Sequence, residues 1–194
     1  MTIADKLKFL SAFAARPNSI GAVAPSSKHL ALRMVEWIDW DAVDAVVEYG
    51  PGLGAFTGEV LRCKKPDARF IAIERETAFV VKLRERFPGL AIHQDSAVEV
   101  KALCRRENME QVDAIVSGLP WAAFSEALQS SLLEAMMTVL RPGGQFVTFA
   151  YMHGRVLPAG RRFKAFLKRH FAEVNISPVV WRNLPPAIIY RCRR

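Results

Sequence analysis

Cysteine is scarce in this chain of 194 residues, and Cys63, Cys104 and Cys192 are widely spaced with no C-x-x-C pair. That excludes a disulfide framework and a thiolate zinc site, and the thiols read as reduced. The four histidines, His29, His93, His153 and His170, have no metal-ligand spacing, so no metal is expected. No apolar run approaches the ~20 residues needed to cross a bilayer. Asp5, Lys6 and Lys8 interrupt what would be the uncharged core of a signal peptide. The expectation is a cytoplasmic protein. Acidic residues are also missing from one end, where residues 141–194 hold eleven Lys and Arg against Glu173 alone.

The net charge of +8 is therefore unevenly spread: residues 1–38 carry +3, residues 39–140 carry −5 and residues 141–194 carry +10. Basic chain ends around an acidic middle point to a polyanionic partner, either a nucleic acid or an anionic membrane. With 51% hydrophobic residues the chain can build a good-sized core. We find no linker, repeat or low-complexity tract, and expect one domain over 1–194, with N-terminal helices in 1–37 and a Rossmann-like core in 38–194.

Apolar runs near 45–47, 69–73, 90–94, 112–117 and 145–151 read as strands, with helical patterns near 55–63, 77–86, 97–107 and 126–140 between them. This alternation predicts an α/β fold with a doubly wound, mostly parallel sheet. Arg141-Pro142-Gly143-Gly144 reads as a sharp stop before the fifth strand. After a helix at about 160–171, segments 173–181 and 187–191 are joined by Asn183-Leu184-Pro185-Pro186, a connection short enough to require an antiparallel pair. The sheet thus has seven strands, the last antiparallel. In the 160–171 helix Phe163, Phe166, Leu167, His170 and Phe171 share a face whose aromatic side chains are expected to pack on the sheet. Residues 1–15 form a further amphipathic pattern with Lys6 and Lys8 on its polar side. Residues 17–21 break it, 22–25 are extended, and Ser26 or Ser27 caps a helix to about Trp37.

The chemistry concentrates at the strand ends. Val46-Val47-Glu48-Tyr49-Gly50-Pro51-Gly52-Leu53-Gly54 is a buried strand running through a glycine turn into a helix. Glycines there let backbone N–H groups and a helix start approach a ligand where a Cβ would obstruct. Glu74 ends the next strand, where an acid can accept hydrogen bonds from both hydroxyls of a ribose. These residues also satisfy a dinucleotide fingerprint, so NAD competes with S-adenosylmethionine (SAM) as the cofactor. Three observations favour SAM. Glu48 would repel a pyrophosphate but suits a cationic amino-acid group. Asp95 and Ser96 close the third strand, with the acid suited to an adenine amino group. Ser117-Gly118-Leu119-Pro120-Trp121 then closes the fourth strand in a turn ending on an aromatic ring.

This series resembles the successive motifs of class I SAM-dependent methyltransferases over about residues 44–151. Methyltransferases acting on an exocyclic amine of adenine carry Asn or Asp where this chain has Gly118, so the side-chain acceptor for a base is gone. The Trp121 face suits a cation as well as a base, which favours an aliphatic amine over adenine. An Asn at 118 would then project where the amine must sit.

Together with Ile20-Gly21-Ala22-Val23-Ala24-Pro25-Ser26-Ser27 and Arg182-Asn183-Leu184-Pro185-Pro186-Ala187, these motifs resemble the small bacterial class I phospholipid N-methyltransferases. That group converts phosphatidylethanolamine toward phosphatidylcholine and is similar to the ribosomal RNA adenine dimethylases. The resemblance implies a peripheral enzyme on the inner face of the cell membrane, with an aminophospholipid substrate and an N-terminal helix that holds the membrane and closes over the cofactor. It disfavours nucleic acid as the partner. The expected cofactor-binding residues are Glu48, Gly50, Gly52, Gly54, Glu74, Asp95, Ser96, Ser117, Leu119 and Pro120. Tyr151, Trp121 and His153 are the expected catalytic or substrate-lining residues. An RNA or small-molecule N-methyltransferase is the alternative, and a SAM- or lipid-binding module without turnover is a second.

Overall fold

The computed structural model describes residues 26–155 and 158–194, and the side chains of all of these except His153 and Arg155. The helix expected over residues 1–15, the break at 17–21 and the extended 22–25 lie outside the described residues. Within them, helix α1 (Lys28–Val35) precedes β1 (Ala45–Tyr49), α2 (Ala55–Cys63), β2 (Arg69–Glu74), α3 (Thr77–Arg86) and β3 (Ala91–Gln94). Then come α4 (Val100–Arg106), β4 (Val112–Ser117), α5 (Glu126–Met137), β5 (Leu140–Tyr151), α6 (Pro158–His170), β6 (Glu173–Ile176) and β7 (Ala187–Arg193).

Between the two serines offered as caps, the structure chooses Ser27, whose hydroxyl accepts the Leu30 N–H at 3.1 Å. The pattern expected over 97–107 divides into a 3-10 turn at Ala97–Glu99 and α4. The sharp stop at residues 141–144 is instead a bulge inside β5. Leu140 already pairs with Val112, and the Gly143 N–H donates to the Arg194 carbonyl at 2.7 Å while the Arg194 N–H donates to Gly144. The last residue thus supplies the edge partner that keeps this stretch extended.

The seven strands lie in the order β3-β2-β1-β4-β5-β7-β6. Strands β1 to β5 are parallel, and β7 runs antiparallel to both β5 and β6. Every residue of β1 is buried, as a parallel strand covered on both faces requires. Because side chains alternate between faces, neighbours serve different cores. Val46, Val116, Val147 and Ile189 pack with α1 and α2, whereas Val47, Ile115, Phe146 and Ile188 pack with α4, α5 and α6. The Phe163, Phe166, Leu167 and Phe171 side of α6 and its C-terminal turn does pack on the sheet, leaving Arg161, Arg162, Lys168 and Arg169 exposed.

Asp113 fixes the amino-terminal edge of the sheet. Its Oδ2 accepts the N–H groups of Asp44 at 2.8 Å and Ala45 at 2.9 Å, and its Oδ1 accepts from the Arg141 guanidinium. Burial alone would raise this carboxyl, but the hydrogen bonds from Arg141, Asp44 and Ala45 outweigh it and hold the group below its ordinary 3.8. Its stabilisation is therefore present above that value and lost as pH falls through the lower folded one. Asp113→Ala leaves two backbone donors unpaired and removes the carboxylate facing the Arg141 guanidinium, and should destabilise the fold by about 1–3 kcal/mol in urea unfolding.

Candidate active site

The parallel strands deliver their last residues to one edge, and backbone hydrogen bonds carry the pairing past the strand ends. The Gly50 N–H donates to the Ile73 carbonyl at 2.9 Å, the Gly118 N–H to the Tyr49 carbonyl at 2.8 Å, and the Asp95 N–H to the Glu74 carbonyl at 3.1 Å. Four of the expected site segments are therefore stitched side by side. Gly50, Gly52 and Gly54 all have left-handed φ, at 63°, 57° and 78°. Of the three, Gly52 is distinctive. A Cβ at Gly50 would meet Leu119 and one at Gly54 would meet Phe87, but one at Gly52 would meet nothing within 4 Å among the described residues. Its Cα faces open space at the strand edge, which is what close approach of a ligand to the turn requires.

Glu74 is largely buried and braces that turn: Oε2 accepts the Gly52 N–H at 2.9 Å, and Oε1 accepts the N–H groups of Arg75 and Glu76 at 2.8 and 3.0 Å. The acid expected to hold a ribose is thus also a structural member of the glycine loop. Asp95, half-buried, accepts the Ser96 N–H at 2.7 Å, and the Ser96 hydroxyl accepts the Val98 N–H at 3.3 Å. Ser96 shapes the turn, and Asp95 stands beside Glu74.

Glu48 is completely buried. The Thr57 hydroxyl donates to its Oε2 at 2.7 Å, while Oε1 has no hydrogen-bond partner among the described residues. Burial above all, helped by the nearby Glu74 charge and opposed by the Thr57 hydrogen bond, pushes this carboxyl up from 4.5 to about 8. A buried, partnerless carboxyl oxygen next to a glycine turn fits a cationic ligand group, because such a group would satisfy the oxygen and favour its charged form.

Two expectations for the fourth-strand turn need correction. Trp121 does not offer an open ring face. It is 1% exposed, its ring stacks on Phe163 with centroids 5.0 Å apart, and its edges meet Phe146 and Phe124. Its indole N–H donates to the Ser117 hydroxyl at 3.0 Å, and Gln129 donates to its carbonyl at 2.6 Å. It is a core pillar behind Leu119 and Pro120, and Ser117 is the clip that holds it. Gly118, in turn, does not leave room for an amine. A Cβ there would lie 2.5 Å from the Gly50 carbonyl oxygen, so a side chain would strike the glycine turn itself.

Tyr151 ends β5, meets the Phe149 ring edge-on and is half-buried, and burial pushes its phenol well up. It therefore stays protonated and is not a ready-made base. The side chain of His153 lies outside the described residues. Three buried polar residues, Thr57, Gln129 and Asn183, are not singled out by sequence pattern alone. Asn183 is 4% exposed, and its Oδ1 accepts the Ser27 N–H at 2.9 Å. This joins two of the segments that carried the family resemblance across 156 positions of sequence. Among the described residues no group of His, Cys, Asp and Glu could hold a metal, and no helix is long and apolar enough to cross a membrane.

Two variants test these assignments. The unfolded chain releases the Glu48 proton near 4.5 and the folded chain only near 8, so the folded state binds the extra proton in between. Stability from this group therefore falls as pH rises through that window. Glu48→Gln keeps the shape without the titration, and should flatten the decline in melting temperature between about pH 5 and about pH 8. Trp121→Ala should cost about 3–5 kcal/mol of folding free energy in denaturant unfolding, as expected for a core pillar. Unchanged stability with a selective loss of substrate binding would restore the open-face reading.

No protein-family model matches the chain. It is 34% identical over 194 residues to the ornithine lipid N-methyltransferase of Singulisphaera acidiphila, covering 97% of this chain and 96% of that protein. To the ribosomal RNA small subunit methyltransferase A of a Synechococcus species it is 32% identical over 92 residues, 46% of this chain and 32% of that protein. Among solved structures, an O-methyltransferase from Bacillus cereus in complex with SAH matches with a TM-score of 0.64 at 14% identity, covering 99% of this chain and 92% of that one. The structural likeness carries the fold, the Rossmann-like class I methyltransferase fold. The likeness in sequence along nearly the whole length of both proteins carries the family: this chain belongs to the lipid N-methyltransferases represented by the ornithine lipid enzyme.

Proposed function

We propose that this protein is a SAM-dependent N-methyltransferase of an aminolipid, with the primary amine of phosphatidylethanolamine as its substrate. One observation carries the lipid class: the end-to-end relationship to a lipid N-methyltransferase, against a likeness to the RNA enzymes that spans 46% to 55% of this chain and 32% to 38% of theirs. SAM fits the residues present. Gly52 leaves its approach open, Glu48 offers a buried partnerless oxygen to the cationic amino-acid part, and Glu74 and Asp95 stand together for the ribose and adenine. Gly50, Gly54, Ser96, Ser117, Leu119 and Pro120 shape the turns that place these groups. When bound, SAM supplies a methyl carbon made electrophilic by its sulfonium.

The protein's own part is positioning. The amine must lose its proton before it attacks, and alignment of the reacting atoms provides much of the rate without a covalent intermediate. Tyr151, held protonated by burial at the end of β5, lines the substrate side and orients the amine through its hydroxyl, while water takes the proton. His153 follows Tyr151 in sequence and is a second candidate for the substrate side. The basic chain ends support a peripheral position on an anionic membrane surface at the cytoplasmic face.

Ornithine lipid is the second reading, favoured by the name of the relative. Purified protein with methyl-labelled SAM should place label in the organic phase from liposomes of phosphatidylethanolamine or ornithine lipid, and the two arms identify the head group. Gly52→Val, which fills the open approach to the turn, should abolish labelling in both. Label found only in ribosomal RNA would overturn the proposal.

A further inference from the structure

The loop between β6 and β7 carries two exposed apolar side chains, Trp181 at 74% and Leu184 at 48%. Topology places this loop beside the active site. Ala187, which opens β7, pairs with Tyr151 at the end of β5, and Thr148 of β5 pairs with Ser117 at the end of β4. The loop thus projects from the same sheet edge as the glycine turn and Tyr151. Its backbone is braced. Between the two exposed residues, Asn183 turns inward, donating to the Pro185 carbonyl at 2.8 Å and accepting the Ser27 N–H at 2.9 Å. The Met152 N–H donates to the Pro186 carbonyl at 2.9 Å, tying the loop to the segment just after Tyr151. Large apolar side chains held outward on a braced turn keep their area in water at a cost that a lipid interface would remove.

The surroundings are basic. Among the described residues, a groove running from this loop along α1 contains His29, Arg33, Arg182 and Arg191 against one carboxylate, Glu36. Glu36 lies 2.9 Å from the Arg33 guanidinium and 2.6 Å from that of Arg191, so it must serve two cations. Arg182 is directed at the His29 ring, 3.0 Å away. A positive surplus behind an indole and a leucine complements an anionic bilayer, with head groups on the arginines and the apolar tip at the acyl boundary. RNA would use the arginines and could stack on the indole, but Leu184 would gain nothing from it.

We propose that the Trp181–Leu184 tip is a membrane-docking wedge, independent of residues 1–25, that enters an anionic bilayer and sets the catalytic edge of the sheet against the lipid head groups. This rests on the aminolipid reading, since it explains how a head group anchored in a membrane reaches Tyr151.

The test is quenching of tryptophan fluorescence by brominated lipid, in vesicles of phosphatidylglycerol or of phosphatidylcholine alone. Wild-type fluorescence should be quenched on the anionic vesicles, and Trp181→Phe should lose most of that change. Trp181→Ser combined with Leu184→Ser should weaken vesicle co-sedimentation on the order of tenfold. Arg182→Glu should weaken it roughly fivefold or more, on anionic vesicles only. All three should still methylate a detergent-dispersed aminolipid as wild type does. Equal quenching in wild type and Trp181→Phe, or unchanged co-sedimentation of the double variant, would overturn the wedge. So would a Trp181 shielded from aqueous quencher before any vesicle is added, which would mean that the chain's own N-terminal segment covers it. Protection by RNA in place of vesicles would overturn it in favour of a nucleic-acid surface. Quenching needs no turnover, so a protein that docks but methylates no lipid would refute the function and spare the wedge. One that methylates lipid without quenching would do the reverse.

Discussion

The arrangement of this site depends on one close approach, between the Gly50 carbonyl and the Cα of Gly118. A Cβ on residue 118 would stand 2.5 Å from that oxygen, well inside van der Waals contact. Two loops from adjacent parallel strands meet there, each continuing the hydrogen bonding of its neighbour, with Gly50 on Ile73 and Gly118 on Tyr49. Both positions are glycine for reasons of space, and only Gly50 also needs its left-handed φ. With the loops this close, Leu119 closes over Gly50, and from the strand on the other side of β1 Glu74 accepts the Gly52 N–H. The cofactor edge is a set of turns locked to each other, not a row of independent ligands.

Behind this edge the two cores do different work. On one face Trp121, Phe163, Phe146 and Tyr190 form an aromatic cluster that carries the Leu119-Pro120 turn, with the Ser117 hydroxyl and Gln129 satisfying the indole N–H and the Trp121 carbonyl. On the other, α1 and α2 cover the sheet, and the start of α1 is tied to Asn183 in the loop before β7. That tie links the beginning of the described chain to the loop before its last strand. It gives a physical reason for two segments far apart in sequence to carry the family resemblance together.

Much of the fold was legible because its signals are local. Apolar runs ended by glycine or an acid marked β1, β2 and β4, and the turn at residues 183–186 marked the antiparallel end of the sheet, although the strand expected over 173–181 ends at Ile176, with an isolated bridge from Val180 to Ala187 beyond it. What could not be read were facts of contact. The sequence places Trp121 after a cofactor-site turn, but only packing reveals that Phe163 covers its face. Gly118 reads as a missing side chain, and only the approach of Gly50 shows what fills the space. Likewise Arg141-Pro142-Gly143-Gly144 has turn chemistry in isolation, which the pairing of Arg194 overrides. Thr57 carried a signal that could have been used: a hydroxyl on the buried face of α2, one helical turn from the glycine loop, calls for a buried acceptor, and Glu48 is that acceptor.

The central claim is that the methyl group ends on the amine of a membrane lipid. The most direct measurement is mass spectrometry of the lipids of a bacterial host that makes no methylated aminolipids of its own, expressing this chain while fed methionine with a labelled methyl group. Labelled methyl groups are expected on the head-group nitrogen of phosphatidylethanolamine or ornithine lipid. An unlabelled aminolipid pool in cells that accumulate the folded protein, with the label instead in ribosomal RNA adenine, would contradict it.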